Sequence, residues 1–187
     1  MEGITGTAIG ALLGFIFTSG QSGRNGGPAA LDSTARHGRP AITRVVVKKA
    51  SHTMALMDGE RAVVSYKVAL GPGGPGVKRR EGDSVTPVGR YHIVHRARSR
   101  YHVFLRLDYP NAEDRARFAK AKAEGALPKG ATIGGDVGIH GAPPQEEWKS
   151  VHKNFDWTLG CVAVDDAEIE NVARLVPDGT IVDIEDE

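Results

Sequence analysis

The sequence predicts a mainly β domain with a few short α-helices at its periphery. Three observations support this fold class. Short β-branched runs alternate with turn residues, only two segments show helical periodicity, and glycine (24) and proline (10) are abundant among the 187 residues. At this length, folding removes roughly 70% of the unfolded chain's accessible surface, which is enough for one hydrophobic core.

The folded part is predicted to begin with strands. A β-branched run at 42–50 forms the first strand, and 53–57 with 60–70 form a hairpin that turns at Asp58 and Gly59. An Asp-Gly pair favours this turn because the central residues of tight hairpin turns need positive φ. Further short strands are predicted at 91–95, 102–107 and 180–184, and a short apolar strand ends at His140.

Two helices are predicted among these strands. Residues 111–124 begin with a capping Asn, carry acidic residues in the first turn and lysines late, and are mostly alanine where they are apolar. This composition indicates a helix on the surface. The second predicted helix, at 165–176, packs on the core through one apolar face, which consists of Ile169, Val172, Ala173 and Val176.

The N-terminal segment has the pattern of a targeting signal. Residues 4–17 are continuously apolar or small, which matches the apolar core of a secretory signal and is shorter than the about 20 residues of a transmembrane helix. No basic residue precedes this core. We expect 1–17 to be a signal-like segment or weak membrane anchor, with a disordered tail as the alternative. Residues 18–41 are predicted to be a flexible linker and 42–187 the folded domain.

The charge balance and the cysteine count exclude several protein classes. Lysine plus arginine total 24 and aspartate plus glutamate total 23, so the net charge is +1. This balance argues against a nucleic-acid partner, because such proteins usually carry an open basic excess. Cys161 is the single cysteine and cannot form a disulfide within the chain. Without further context, a lone cysteine is most often a small buried apolar residue.

A glycine-rich loop at 71–76 (GPGGPG) formally matches a nucleotide-binding motif but lacks its chemistry. Such a site needs free backbone amides at the start of a helix, and Pro72 and Pro75 remove two of them. The following residues open no apolar helix, and Val77 stands where a Walker lysine would be. We therefore expect no nucleotide site here, and we expect residues 78–80 (KRR) to form a solvated loop.

The residues around Cys161 suggest nucleophilic catalysis. A cysteine nucleophile needs a base for its proton, a partner that orients the base, and backbone amides that face the oxyanion. His140 and Gly141 end a predicted strand, and Gly160 directly precedes Cys161, so the required residue types are present. A base paired with the thiol also predicts a pKa for Cys161 below its ordinary value of about 8.5.

Three ordered segments resemble the catalytic domain of the L,D-transpeptidases, the YkuD family. They are residues 139–141 (IHG), 158–162 (TLGCV) and 82–91 (GDSVTPVGRY), and the resemblance extends over about 42–184. It implies a β-sandwich or mixed sheet, with Cys161 as the nucleophile and His140 as its base. The implied reaction is peptidoglycan L,D-transpeptidation of stem peptides through a thioester, with an amine of a second stem or a wall-attached protein as acceptor. The implied location is the bacterial cell envelope or periplasm.

Two departures from the family pattern bear on the substrate. Leu159 replaces the histidine that usually precedes Gly-Cys, and Ala163 replaces an arginine often found two residues after the cysteine. Residues 156–163 (DWTLGCVA) resemble a subgroup that includes amidases releasing peptidoglycan-attached protein. The alternatives are therefore an L,D-carboxypeptidase or amidase acting on the same bond class, or a catalytically silent peptidoglycan-binding domain. The presence of both Cys161 and His140 favours an enzyme.

Further site residues are predicted around this pair. Gly160, Gly141 and Thr158 are candidates for the oxyanion hole or for orienting the catalytic groups, and Trp157, His152 and Arg90 are candidates for contacting substrate. Core packing is the alternative for Trp157. A zinc site made of His140, His152 and Cys161 is disfavoured because no closely spaced ligand pair is present. We expect neither a metal nor a cofactor.

Overall fold

The computed structural model describes residues 40–187, and these form a mainly β domain with short helices. The fold class predicted from the sequence is confirmed. The signal-like segment at 1–17 and nearly all of the linker at 18–41 lie outside the described residues. No helix within 40–187 has the length and apolar character needed to cross a membrane.

The strands are β1 (Arg44–Lys48), β2 (Thr53–Asp58), β3 (Arg61–Lys67), β4 (Gly89–Ser99), β5 (His102–Leu107), β6 (Gly138–His140), β7 (Val162–Ala163) and β8 (Ile181–Glu185). The helices are α1 (Ala112–Ala123), α2 (Glu146–Lys149) and α3 (Asp166–Leu175), with a 3-10 turn at His152–Asn154.

The described strands form one mixed sheet in the order β3-β2-β1-β8-β4-β5-β6-β7. The last strand of the chain, β8, lies inside this sheet, parallel to β1 and antiparallel to β4. In the β1–β8 register, Val45 lies opposite Val182 and Val47 opposite Ile184. All four side chains are buried, so the two ends of the domain are joined through its core.

The sheet bends at β4 and its two edges meet. β4 pairs with β8 near its start and with β5 further on, with a register shift between Ile93 and His95. Ala69, just after edge strand β3, exchanges two backbone hydrogen bonds of 2.9 and 2.8 Å with Ala163 in the opposite edge strand β7. This bridge brings the segment after β3 beside the segment that contains Cys161.

The core lies under this curved sheet. Its fully buried side chains include Leu56, Tyr91, Leu105 and Ile139, and α3 adds Ile169 and Val172 from its apolar face. Each such side chain stabilises the fold by roughly 1.5–3 kcal/mol through burial. α3 contacts β5 and β6, so it holds the end of β6 at which His140 lies.

The helices follow local sequence signals except for α2. The side chain of Asn111 accepts hydrogen bonds from the first turn of α1, and Asp114 bonds back to the Asn111 amide. α1 is otherwise largely exposed, as its alanine content predicted. α2 was not predicted, because one turn of four residues is too short to show periodicity. β4 extends beyond its predicted end at residue 95 because pairing with β5 continues through an exposed polar stretch.

Shortening a side chain in β8 should destabilise the whole domain. Ile184→Ala removes a fully buried side chain at the β1–β8 pairing, and we expect a loss of about 2–5 kcal/mol in the free energy of unfolding. Val94→Ala, at a position 53% exposed on β4, is the matched control and should change stability by less than about 0.5 kcal/mol. Urea denaturation measures both. Equal losses in the two variants would contradict the central placement of β8.

Candidate active site

The loop before Cys161 is anchored to the residue that follows the Ala69 bridge. The backbone amides of Trp157 and Thr158 both donate to the carbonyl oxygen of Leu70 at 3.0 Å. The carboxylate of Asp156 accepts the Leu70 amide at 2.8 Å. Three hydrogen bonds to one residue fix where the loop starts its turn toward Cys161.

The turn itself requires glycine and is braced by Thr158. Gly160 has φ +127°, and a Cβ atom there would lie 2.8 Å from the carbonyl oxygen of Val85. The Thr158 hydroxyl donates to the Cys161 carbonyl at 2.8 Å and accepts the Gly160 amide at 3.2 Å. The Gly160 amide is therefore already used within the turn. Among residues 40–187 the Cys161 amide has no hydrogen-bond acceptor, so it is the free donor beside the sulfur.

The loop that contains Lys78 contacts this turn, and one expectation about that loop was wrong. Lys78, predicted to lie in a solvated loop, has a side chain only 4% exposed. Its Nζ donates to Asp83 at 2.6 Å and to the carbonyl oxygen of Leu159 at 3.3 Å. Asp83 also accepts the backbone amides of Arg79, Arg80 and Val85. Burial opposes the ionisation of Asp83, but these hydrogen bonds lower its pKa overall, so the carboxylate stays ionised beside the turn that precedes Cys161.

His140 is held in one orientation at the end of β6. Its Nδ1 donates to the carbonyl oxygen of Gly141 at 2.8 Å, and this bond assigns the ring hydrogen to Nδ1 and leaves Nε2 as the basic nitrogen. The ring is 2% exposed and stacks on Tyr101 with centroids 4.6 Å apart. Gly141 allows a close approach here, because a Cβ atom would lie 2.5 Å from the Asp166 carboxylate.

Cys161 and His140 are both neutral at rest. Burial lowers the pKa of His140 to about 4, against the opposing effect of the bond to Gly141. Burial raises the pKa of the Cys161 thiol to about 11, although a backbone hydrogen bond from Gly138 and the charge of Lys78 both lower it. The expectation that the thiol has a pKa below 8.5 is therefore wrong for the resting site. Within the described residues, the sulfur donates to the carbonyl oxygen of Asp136 at 3.5 Å, and no hydrogen bond joins it to His140.

Cys161 and His140 line the same cleft, which has a volume of about 370 Å³. β6 and β7 run parallel and place His140 opposite Ala163, two residues after Cys161. Leu159 lies at the mouth of the cleft with 78% of its side chain exposed. The remaining lining residues are Arg100, Tyr101, Phe104, Gly135, Asp136, Val137, Trp157 and Thr158.

Several of these lining residues were missed by the sequence analysis. Arg100, Tyr101 and Phe104 reach the cleft from the β4–β5 hairpin, and Asp136 lies just before β6. None belongs to a recognisable motif. Only the pairing of β5 with β6 brings the hairpin next to His140, and this long-range pairing leaves no local signal.

The other predicted site residues are divided between the cleft and its surroundings. Trp157 lines the cleft and also an adjacent apolar pocket of about 280 Å³, so it is a wall between cavities. His152 lines the second pocket, and its ring contacts the Asp165 carboxylate at 2.9 Å. Arg90 is not among the cleft residues, because its guanidinium pairs with Asp183 at 2.7 Å. Among residues 40–187, no group of three or more histidine, cysteine or acidic side chains is placed to hold a metal ion.

Comparisons with known proteins identify the family of the domain. The family model of YkuD, the L,D-transpeptidase catalytic domain, matches residues 42–184. The structure of the helical cell shape determining protein Pgp2 from Campylobacter jejuni is 25% identical with a TM-score of 0.54, over 80% of this chain and 53% of that one. Bd1075 from Bdellovibrio bacteriovorus is 21% identical with a TM-score of 0.52, over 79% and 49%.

An L,D-transpeptidase from Xylanimonas cellulosilytica also has the same fold, at 15% identity and a TM-score of 0.50, over 75% of this chain and 59% of that one. The chain thus spans about half the length of the Pgp2 and Bd1075 structures. No curated protein sequence matches it.

The raised thiol pKa can be tested directly because Cys161 is the single cysteine. We expect the rate of alkylation by iodoacetamide to rise with an apparent pKa well above 8.5, toward about 11, because burial disfavours the thiolate. The same protein unfolded in urea is the control and should titrate near its unperturbed value of about 8.5. A folded-state value at or below that of the unfolded protein would contradict the neutral resting site.

Proposed function

The chain belongs to the YkuD family of L,D-transpeptidase catalytic domains, and on that basis we propose that it is a cysteine-dependent peptidoglycan L,D-transpeptidase. Its substrate is a stem peptide, and its intermediate is a thioester on Cys161. The observation that carries the proposal is that Cys161 and an oriented His140 line one cleft, with Nε2 as the basic ring nitrogen.

The first half of the reaction forms the acyl-enzyme. Nε2 of His140 takes the thiol proton as the Cys161 sulfur attacks the carbonyl carbon of the scissile amide. The oxygen of that carbonyl becomes an oxyanion, and the free Cys161 amide is the backbone donor beside it. The intermediate then expels the amine of the leaving residue, which receives the proton from Nε2. The products of this half are the thioester and the free amine.

The second half resolves the thioester. An acceptor amine from a second stem or a wall-attached protein attacks the thioester carbon and gives a proton to Nε2. The carbon–sulfur bond breaks, the new amide leaves, and the proton returns to the sulfur. Water in place of the amine gives hydrolysis, which is the carboxypeptidase or amidase outcome.

The neutral resting pair determines how the first step proceeds. With the pKa of the thiol at about 11 and that of His140 at about 4, a full proton transfer before substrate binding is strongly uphill. We infer that the proton moves as the sulfur attacks, when the developing oxyanion receives its hydrogen bond. Thr158 acts by holding the turn that aims the Cys161 amide.

The cellular setting follows from the substrate. Peptidoglycan lies in the bacterial cell envelope, so we propose that the protein is exported there, with residues 1–17 as its signal-like segment or weak membrane anchor. The 25% identity to Pgp2 supports a role in determining cell shape through the wall.

The proposal predicts a Cys161-dependent change in stem peptides. The full chain is incubated with tetrapeptide muropeptides, and the products are identified by mass. With the wild type, we expect the muropeptides to lose their terminal residue and to form dimers. Cys161→Ala should be inactive, and His140→Ala should be slower by at least about 100-fold because general-base catalysis is lost.

The product distribution separates the alternatives. A shortened stem without dimers would show that the enzyme hydrolyses its thioester and does not catalyse transpeptidation. Identical spectra from the wild type and Cys161→Ala would refute the enzymatic reading and leave a silent peptidoglycan-binding domain.

A further inference from the structure

The cleft holds one positive charge that no carboxylate neutralises. Its ionisable lining includes Arg100 and Asp136 besides the neutral His140 and Cys161. Asp136 pairs with Arg106 at 2.5 Å. Among the described residues, Arg100 has no acidic partner; its guanidinium lies 4.7 Å above the Tyr101 ring and donates to the Tyr101 hydroxyl at 2.7 Å. Arg100 is therefore a preoriented cation at the wall of the cleft.

Arg100 lies on the same side of the cleft as His140. It belongs to the β4–β5 turn, and the next residue, Tyr101, stacks on His140 with centroids 4.6 Å apart. The Tyr101 carbonyl also accepts the Gly141 amide at 2.9 Å. Tyr101 at the hairpin tip thus contacts both His140 and the backbone of Gly141.

This placement identifies which part of the substrate faces Arg100. In the proposed reaction His140 returns its proton to the leaving amine, so the leaving residue lies on the His140 side. The α-carboxylate of a C-terminal residue is two bonds from that amine nitrogen. The long side chain of arginine suits such a carboxylate, which its planar guanidinium binds through two parallel hydrogen bonds.

We propose that Arg100 binds the free carboxylate of the leaving residue and so makes the protein prefer stem peptides that end in a free acid over stems whose terminal carboxyl group is blocked. This inference rests on the proposed function for the identity of the leaving group.

The test compares two tetrapeptide stems that differ only at the C-terminus, one a free acid and the other an amide. Mass spectrometry follows release of the terminal group from each stem and gives kcat/KM for both. We expect the wild type to prefer the acid, and Arg100→Ala to lose about 10- to 100-fold on the acid while its rate on the amide stays unchanged. Arg100→Lys keeps the charge and should retain part of the preference.

Arg98→Ala is the matched control. Arg98 lies on the same hairpin, is 72% exposed in its side chain and pairs with Glu170 away from the cleft. Its removal should leave the preference for the acid intact. Equal wild-type rates on acid and amide, or an equal loss on both in Arg100→Ala, would overturn the role of Arg100.

A binding measurement separates this inference from the proposed function. Calorimetry on Cys161→Ala, with and without Arg100→Ala, reports the affinity for the acid and amide stems without turnover. Tighter binding of the acid that depends on Arg100 supports the inference even if the wild type proves inactive. Equal affinities for the two stems would refute it even if the wild type is an active transpeptidase.

Discussion

The hydrogen bond from Nδ1 of His140 to the carbonyl oxygen of Gly141 sets the chemistry of the whole site. It joins neighbouring residues at the end of a buried strand. The backbone at Gly141 also passes so close to Asp166 that a Cβ atom there would lie 2.5 Å from the carboxylate, so this position requires glycine. It fixes one tautomer of a ring that burial keeps neutral. In the proposed mechanism, every step from taking the thiol proton to releasing the leaving amine uses the lone pair that this bond assigns to Nε2.

Cys161, the proposed nucleophile, is positioned by a separate set of contacts. The Ala69–Ala163 bridge joins the two edges of the sheet, and Leu70, the next residue, accepts or donates three hydrogen bonds that anchor the loop before Cys161. Lys78 and Asp83 then form a buried ion pair whose lysine reaches the Leu159 carbonyl. Removing either partner would leave an uncompensated buried charge, which is strongly destabilising. Residues 82–87 (GDSVTP) thus contribute to the support of the turn at 158–161 that holds Cys161.

The sequence was sufficient for the fold class, because strand alternation and helix caps are local signals. Short motifs also pointed to Cys161 and His140, and the structure places both in one cleft. The burial of Lys78 was not predictable, since a Lys-Arg-Arg run is charged whether or not one member finds Asp83 inside the fold. The hairpin residues Arg100 and Tyr101 reach the cleft only through pairing of β5 with β6, which joins residues far apart in the chain. The thiol pKa was predicted with the wrong sign because a sequence indicates a base but not the desolvation around both groups.

The central claim is that a neutral His140 acts as base for a neutral Cys161 thiol, and the acid side of the pH profile tests it most directly. kcat/KM for the tetrapeptide stem is measured at pH 5 and pH 7, with folding checked by circular dichroism at both. With the pKa of His140 at about 4, the ring is about 90% neutral at pH 5, and the ratio of kcat/KM at pH 5 to that at pH 7 should be about 0.9. A ratio of about 0.04, as for an ordinary histidine with a pKa of about 6.5, would contradict the buried neutral base.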